Sequence, residues 1–467
     1  MLAQPTPPPA RPGRHYLLLL ALIVLGAGLS LACLGRGWIN PEAEGFIPHY
    51  LSDRPLLSLI FDPARTDWDN FQGRELSYLF DWIDCRFILF CTRAGVPHFI
   101  SLTHLTLVAA IAVLLFRFTR RDCTLPAPVA LALVAVWLSS PAALLGANFY
   151  RSAKIASATA LLVMLTAAWR GRGSGTGLLT VGLAGLGAAL CDRQGFVLLL
   201  FFAVWLGWRA LAWKETPALR FGLVAAGALA TAHCYTAFLA PRLIAHYAGR
   251  LPNVAFMQLG RSGILTDAAQ LKAVLVYAPL SALQSLGFQF GNLPPVILGV
   301  LLVVAAFSLH PPLKTALSTP PWRSAALWWL AILLALVVLN MGMALRQANV
   351  VILAEFKRIY FPLPATVWFF ASVAVALRVI VGRNWLPTPV VAGIFTVIAL
   401  SNLVSLPSHR LAYHRGVYET QIKAGPHHLA SLQRGVQTAD PSPAVQALRR
   451  HAWPATPTSP PPSAGTP

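Results

Sequence analysis

Apolar runs of about twenty residues, separated by short polar connectors, recur along the chain as far as residue 406. A helix crossing a bilayer needs roughly 20 predominantly apolar residues. The pattern therefore predicts spans over 16–34, 98–116, 128–145, 155–169, 178–190, 196–211 and 221–239, then over 296–309, 325–345, 361–377 and 390–406. These make about eleven spans, with a twelfth open at 271–288, where Tyr277, Pro279, Ser281, Gln284 and Ser285 dilute the apolar run. That segment reads either as a span or as a helix lying on the membrane surface. The surface reading is preferred because it brings the later polar segment 346–364 to the same face as the first polar loop. The fold class expected is all-α, a polytopic integral membrane protein. Residues 1–406 form one multi-pass domain, with 35–97 as an acidic external loop. Residues 407–467 form a polar tail with short helices near 427–435 and 444–451, Pro-rich and expected to be disordered from 454.

Two glycine patterns sharpen this picture. Gly182, Gly185 and Gly187 offer a small-residue face for close helix packing. The glycine-rich stretch 171–177 follows a membrane helix rather than a strand and lacks the Lys-Ser/Thr ending of a phosphate loop, so it reads as a plain turn.

Composition agrees with the pattern. Of 467 residues 56% are hydrophobic and 11% charged, with mean hydropathy +0.62, which requires lipid as a solvent. The formal charge of +20 is carried by arginines scattered beside apolar runs, which suits lipid headgroups and argues against a nucleic-acid partner. Basic clusters at Arg117, Arg120 and Arg121, at Arg170 and Arg172, and at Arg209, Lys214 and Arg220 alternate with poorer loops and place the N-terminus inside. Arg11, Arg14 and His15 precede the first run, which reads as an uncleaved helix. It is too long for a signal peptide, and Ser30 stands where the Leu31-Ala32-Cys33 stretch would need a leucine to be a lipoprotein cleavage site. The six cysteines include no CxxC pair and are expected to be free thiols; Cys85 and Cys91 could meet only across a bend.

Chemistry concentrates in the first external loop. Nine of the sixteen acidic residues fall there: Glu42, Glu44, Asp53, Asp62, Asp67, Asp69, Glu75, Asp81 and Asp84. From residue 71 to 90 the pattern turns helical, with Leu76, Leu79, Phe80, Ile83 and Phe87 on one side and Arg74, Tyr78, Asp81 and Asp84 or Cys85 on another. Such a helix would lie in the interface with its apolar side in lipid and its polar side toward the external loops. The next external loops carry Arg151, Lys154, Asp192 and Arg193. Cations on the outer face run against the topology bias. They either snorkel to headgroups or hold an anionic phosphate at the membrane surface, and Asp192 and Arg193 could also form a local salt bridge.

An acidic first loop with an interfacial helix, small basic external loops and a late Glu355-x-x-Arg358-Ile359-Tyr360-Phe361-Pro362 segment entering a helix together resemble the GT-C superfamily of membrane glycosyltransferases. The resemblance spans residues 16–406. The sequence lacks a sizeable C-terminal soluble domain, which some members have, and its acidic loop shows no clean Asp-Asp or Asp-Glu pair, since Trp68 separates Asp67 from Asp69. It implies transfer of a sugar from a polyprenyl-phosphate carrier to an envelope glycan, lipid or protein acceptor at the external face. In that chemistry Asp69 or Asp67 takes the proton of the acceptor hydroxyl. Arg74, Arg151, Lys154, Asp192, Arg193, Glu355 and Arg358 form the substrate-binding set, the cations stabilising the departing polyprenyl phosphate. A divalent cation is compatible with the loop, but no carboxylate cluster has spacing tight enough to demand one. Membrane lipid is a further partner, and the absence of any Asn-x-Ser/Thr sequon suits a bacterial inner (plasma) membrane.

Two rival functions remain open. Ion-coupled carriers keep acids or bases inside spans, and here His104 and His233 are the notable polar insertions. A flippase of a lipid-linked sugar would need neither. A structural subunit of an envelope assembly would tolerate alanine throughout the acidic loop.

Overall fold

The computed structural model describes residues 12–34, 49–52, 54–62, 73–94, 100–145, 152–170, 173–249, 363–382 and 386–423. Among these residues the chain is helical and contains no strand. The helices are α1 (Pro12–Leu34), α2 (Leu56–Ile60), α3 (Glu75–Arg93), α4 (Leu102–Arg117), α5 (Ala127–Ser139), α6 (Pro141–Leu145), α7 (Ala153–Arg170), α8 (Gly175–Cys191), α9 (Arg193–Trp213), α10 (Thr216–Cys234), α11 (Ala240–Ala248), α12 (Leu363–Gly382) and α13 (Thr388–Lys423). Single π-helical turns follow α4 at Phe118–Asp122 and α10 at Tyr235–Leu239.

The bundle is apolar outside as well as inside. Trp137, Phe202, Phe221, Trp368 and Phe370 fill a core that takes in most helices, while Leu17, Val24, Leu183, Leu223 and Val404 stand exposed on its flanks. Exposed apolar side chains in such number mark a surface that meets something other than water. Five helical stretches among the described residues are long and apolar enough to cross a membrane: Gly13–Ala32, Leu102–Asp122, Arg193–Ala212, Thr216–Ala248 and Thr388–Leu406. The protein is a polytopic helical membrane protein. The expected spans 296–309 and 325–345, and the ambiguous 271–288, lie outside the described residues.

Interhelical contacts fix the direction of each helix. Ser30 near the end of α1 donates to the carbonyl of Leu144 at 2.6 Å, Tyr16 near its start packs on Phe116, and Arg170 at the end of α7 makes a two-pronged ion pair with Asp122 at 2.7 and 2.8 Å. One end of the bundle thus carries Arg117, Arg120, Arg121, Arg170, Arg209, Lys214 and Arg220, the inside end by charge bias. The opposite end, which that bias expects outside, is labelled the outer end. α12 starts there, because its Phe370 packs on Trp137 near the end of α5, whereas Arg378 near its finish acts electrostatically on Cys123 at the inside end. α12 therefore runs from that end toward the end that carries Cys123.

Three local expectations change. The run 128–145 is not one helix: Pro141 lacks an N–H and disfavours helical geometry in the residue before it, so α5 stops at Ser139. Ser140 closes the break by donating to the Trp137 carbonyl at 2.7 Å and accepting from the Ala143 N–H at 3.2 Å. Gly182 and Gly185 do lie in packed interfaces, where an added Cβ would come within 3.2 Å of Val224 and 3.0 Å of Leu199, but a Cβ on Gly187 would meet nothing within 4 Å. A spacing of five residues turns Gly187 off the face that the other two share. Finally, α3 stays helical from Glu75 to Arg93, so Cys85 and Cys91 remain apart, and both are free.

Candidate functional site

α3 lies at the outer end and is amphipathic in an inverted sense. Its buried stripe is Arg74, Glu75, Ser77, Tyr78, Asp81, Asp84, Cys85 and Ile88, while Leu76, Leu79, Phe80, Ile83 and Phe87 are half-buried and Phe90 is exposed. The polar side faces protein and the apolar side faces outward, as expected for a helix lying in the interface. Residues 49–52 and 54–62 and α11 complete this cap: Tyr50, Leu59, Phe61, Tyr78, Ile88 and Ile244 form a small core of their own, with Phe61 stacked on Tyr247 and His49 bonded to the Leu59 carbonyl at 2.9 Å.

Asp84 pins α3 to the bundle. Its Oδ2 accepts from the hydroxyls of Ser101 and Thr103, both at 2.6 Å, and from Ser152 at 3.3 Å, while its Oδ1 accepts from the Thr103 N–H at 2.9 Å. Ser101 is also the N-cap of α4, accepting from the His104 N–H at 2.9 Å. Complete burial raises the Asp84 pKa to about 6 from its ordinary 3.8, against the lowering effect of these hydrogen bonds. The folded protein therefore holds this proton over a pH range in which the unfolded chain has lost it. The stability that this group contributes is fully present below about pH 4 and is lost as pH rises through 6, a change of about 3 kcal/mol. Asp84→Asn mimics the protonated acid and should flatten that part of the profile. Melting temperatures of both proteins in detergent from pH 4 to 8 would show it, and profiles of identical slope would refute it.

Beside this knot lies a charged cluster. Lys154 near the start of α7 donates to both oxygens of Asp192, at 3.2 and 3.1 Å, with side chains only 5% and 6% exposed. Asp192 is the N-cap of α9, its Oδ1 accepting from the Gln194 N–H at 2.9 Å. Burial pushes the Asp192 pKa up, but Lys154, the Gln194 N–H and Arg74 together hold it below the ordinary carboxylate range. Arg74, just before the start of α3, thus acts electrostatically on the same acid. Among the described residues no group of three His, Cys, Asp or Glu side chains is placed to hold a metal ion.

Of the residues expected from sequence, Arg74, Lys154 and Asp192 come together here, and Arg193 follows half-buried as the first residue of α9. Lys154 does not snorkel but pairs with Asp192, whose side chain also caps α9. Asp67, Asp69, Arg151, Glu355 and Arg358 lie outside the described residues. Sequence reading missed Ser101, Thr103 and Ser152 as partners of Asp84, and missed Tyr235, whose hydroxyl approaches the Glu75 carboxylate. Only the Ser-x-Thr at a helix start hinted at the first group.

The fold and site define a helical membrane protein with a buried charged cluster at its outer end. No protein-family model and no curated protein matches the chain. The crystal structure of ArnT from Cupriavidus metallidurans bound to undecaprenyl phosphate is similar to it over 95% of this chain and 78% of that one, at 13% sequence identity and a TM-score of 0.44. A likeness of that extent assigns no function by itself.

Proposed function

We propose that the chain is a GT-C-type membrane glycosyltransferase of about eleven spans, acting at the external face of an inner (plasma) membrane. The observation that carries this reading is the gathering of Arg74, Lys154 and Asp192 at the outer end, beside the point where the acidic loop returns to the bundle at Arg74. In the reaction, the acceptor oxygen attacks the anomeric carbon of a polyprenyl-phosphate-linked sugar. Asp69 or Asp67 takes the acceptor's proton, the bond from that carbon to the phosphate oxygen breaks, and the polyprenyl phosphate leaves with both electrons. Arg74, Arg151, Arg193 and Arg358 supply positive charge to the departing phosphate, while Lys154, neutralised by Asp192, orders the surface beneath it. Glu355, three residues before Arg358 in sequence, belongs to the same substrate-binding set.

The test is sugar release by detergent-purified protein from a panel of polyprenyl-phosphate donors. Asp69→Ala or Asp67→Ala should lose turnover by about 10²–10⁴-fold with donor binding and melting temperature retained. Arg151→Ala should weaken donor binding instead. Well-folded wild-type protein that neither binds nor turns over any donor would shift the reading to a flippase or a scaffold.

A further inference from the structure

The π-turn at Tyr235–Leu239 touches the start of α3 and nothing in the reaction above uses it. Its cause lies in the sequence that follows. Pro241 has no N–H to continue the ladder and its ring would clash with the carbonyl four residues back, and the chain responds by widening, so that the Ala240 N–H bonds to the Tyr235 carbonyl five residues earlier. Such widened turns recur at functional positions. Here the turn brings Tyr235 and Thr236, both half-buried, against residues 73–75. Gly73 has a φ of +63°, and a Cβ built on it would lie 2.6 Å from the Thr236 methyl, so the backbone there is seated directly on Thr236. The Tyr235 hydroxyl approaches the buried Glu75 carboxylate. Arg74 stands between these two contacts and acts on Asp192 across the cluster.

We propose that Tyr235 and Thr236 are positioning residues for Arg74: they hold the residues on either side of it so that its guanidinium keeps its electrostatic hold on Asp192 and meets the phosphate of a lipid-linked donor. The inference rests on the glycosyltransferase reading for its ligand, but the contact itself can be tested without turnover. Tyr235→Phe removes only the hydroxyl, Thr236→Ala removes the methyl under Gly73, and Thr236→Val restores that methyl without the hydroxyl.

Two readouts decide it. In hydrogen exchange of the full-length protein, Tyr235→Phe and Thr236→Ala should speed exchange of residues 74–80 by about tenfold, with α7 and α8 unchanged and Thr236→Val behaving as wild type. In steady-state turnover the same two variants should raise KM for the polyprenyl-phosphate sugar about tenfold while kcat stays within about twofold. Unchanged exchange overturns the proposal, as does faster exchange with an unchanged KM. Exchange that also rises throughout α7 and α8, with a lower melting temperature, would show ordinary packing and overturn it too. Absence of turnover in the wild type would sink the glycosyltransferase reading, and the exchange result then decides the positioning role alone.

Discussion

Lys154→Ala is expected to destabilise the protein by about 3 kcal/mol, because removing one member of a buried ion pair leaves the other charge desolvated and uncompensated. Asp192 is 4% exposed, and among the described residues it is also compensated by the Gln194 N–H and the field of Arg74. These hold the cost toward the lower end of the usual range for such a break. The double variant Lys154→Met with Asp192→Asn should regain most of the loss, since it removes both charges while asparagine keeps an oxygen for the α9 cap. Thermal unfolding in detergent of the two single variants and the double gives the coupling directly. A Lys154→Ala melting temperature equal to wild type would mean that the pair contributes nothing. If the double variant is stable yet binds polyprenyl-phosphate donor as wild type, then the pair serves only folding.

How much of this could be read from sequence depends on the range of each interaction. α3 was legible, together with the orientation of its two sides, because Leu76, Leu79, Phe80, Ile83 and Phe87 repeat at helical spacing within one segment. So were the outer positions of Arg74, Lys154 and Asp192, which follow from counting apolar runs and basic connectors. What those residues touch was not legible. Asp84 reaches hydroxyls 17, 19 and 68 residues away, and Lys154 finds Asp192 at a separation of 38. No local pattern encodes a partner at such distances. Three uses of Asp192 and its neighbours are open at the sequence level: snorkelling, anion binding and a local pair with Arg193. The N-cap geometry of α9 chooses a fourth, the pair with Lys154. The Pro141 break shows the converse failure. The signal was present in the sequence, but an apolar run on both sides of it reads as one continuous span.

Gly195→Ala should be among the most damaging single-atom additions in the protein. Early in a helix, alanine is ordinarily favoured over glycine by about 1 kcal/mol, so glycine at this position in α9 needs a packing reason. The structure supplies one: a Cβ on Gly195 would sit 2.1 Å from the carbonyl oxygen of Ala188 and 2.3 Å from the Ser157 hydroxyl. Those two groups are already bonded to each other at 3.1 Å, tying α7 to α8. The hydroxyl could swing aside, but the carbonyl belongs to backbone and can move only with α8. Relief therefore requires α9 to back away from both helices, which would carry Asp192 off Lys154. A loss of about 3 kcal/mol is expected, at the upper end of overpacking costs. Gly187→Ala is the control, since a Cβ there meets nothing within 4 Å; it should be neutral or stabilising by up to about 1 kcal/mol. Adding Ser157→Ala to Gly195→Ala should recover only part of the loss, because the carbonyl clash persists. If instead the double variant melts as wild type does, the hydroxyl alone was the obstacle and α8 yields more readily than its packing implies.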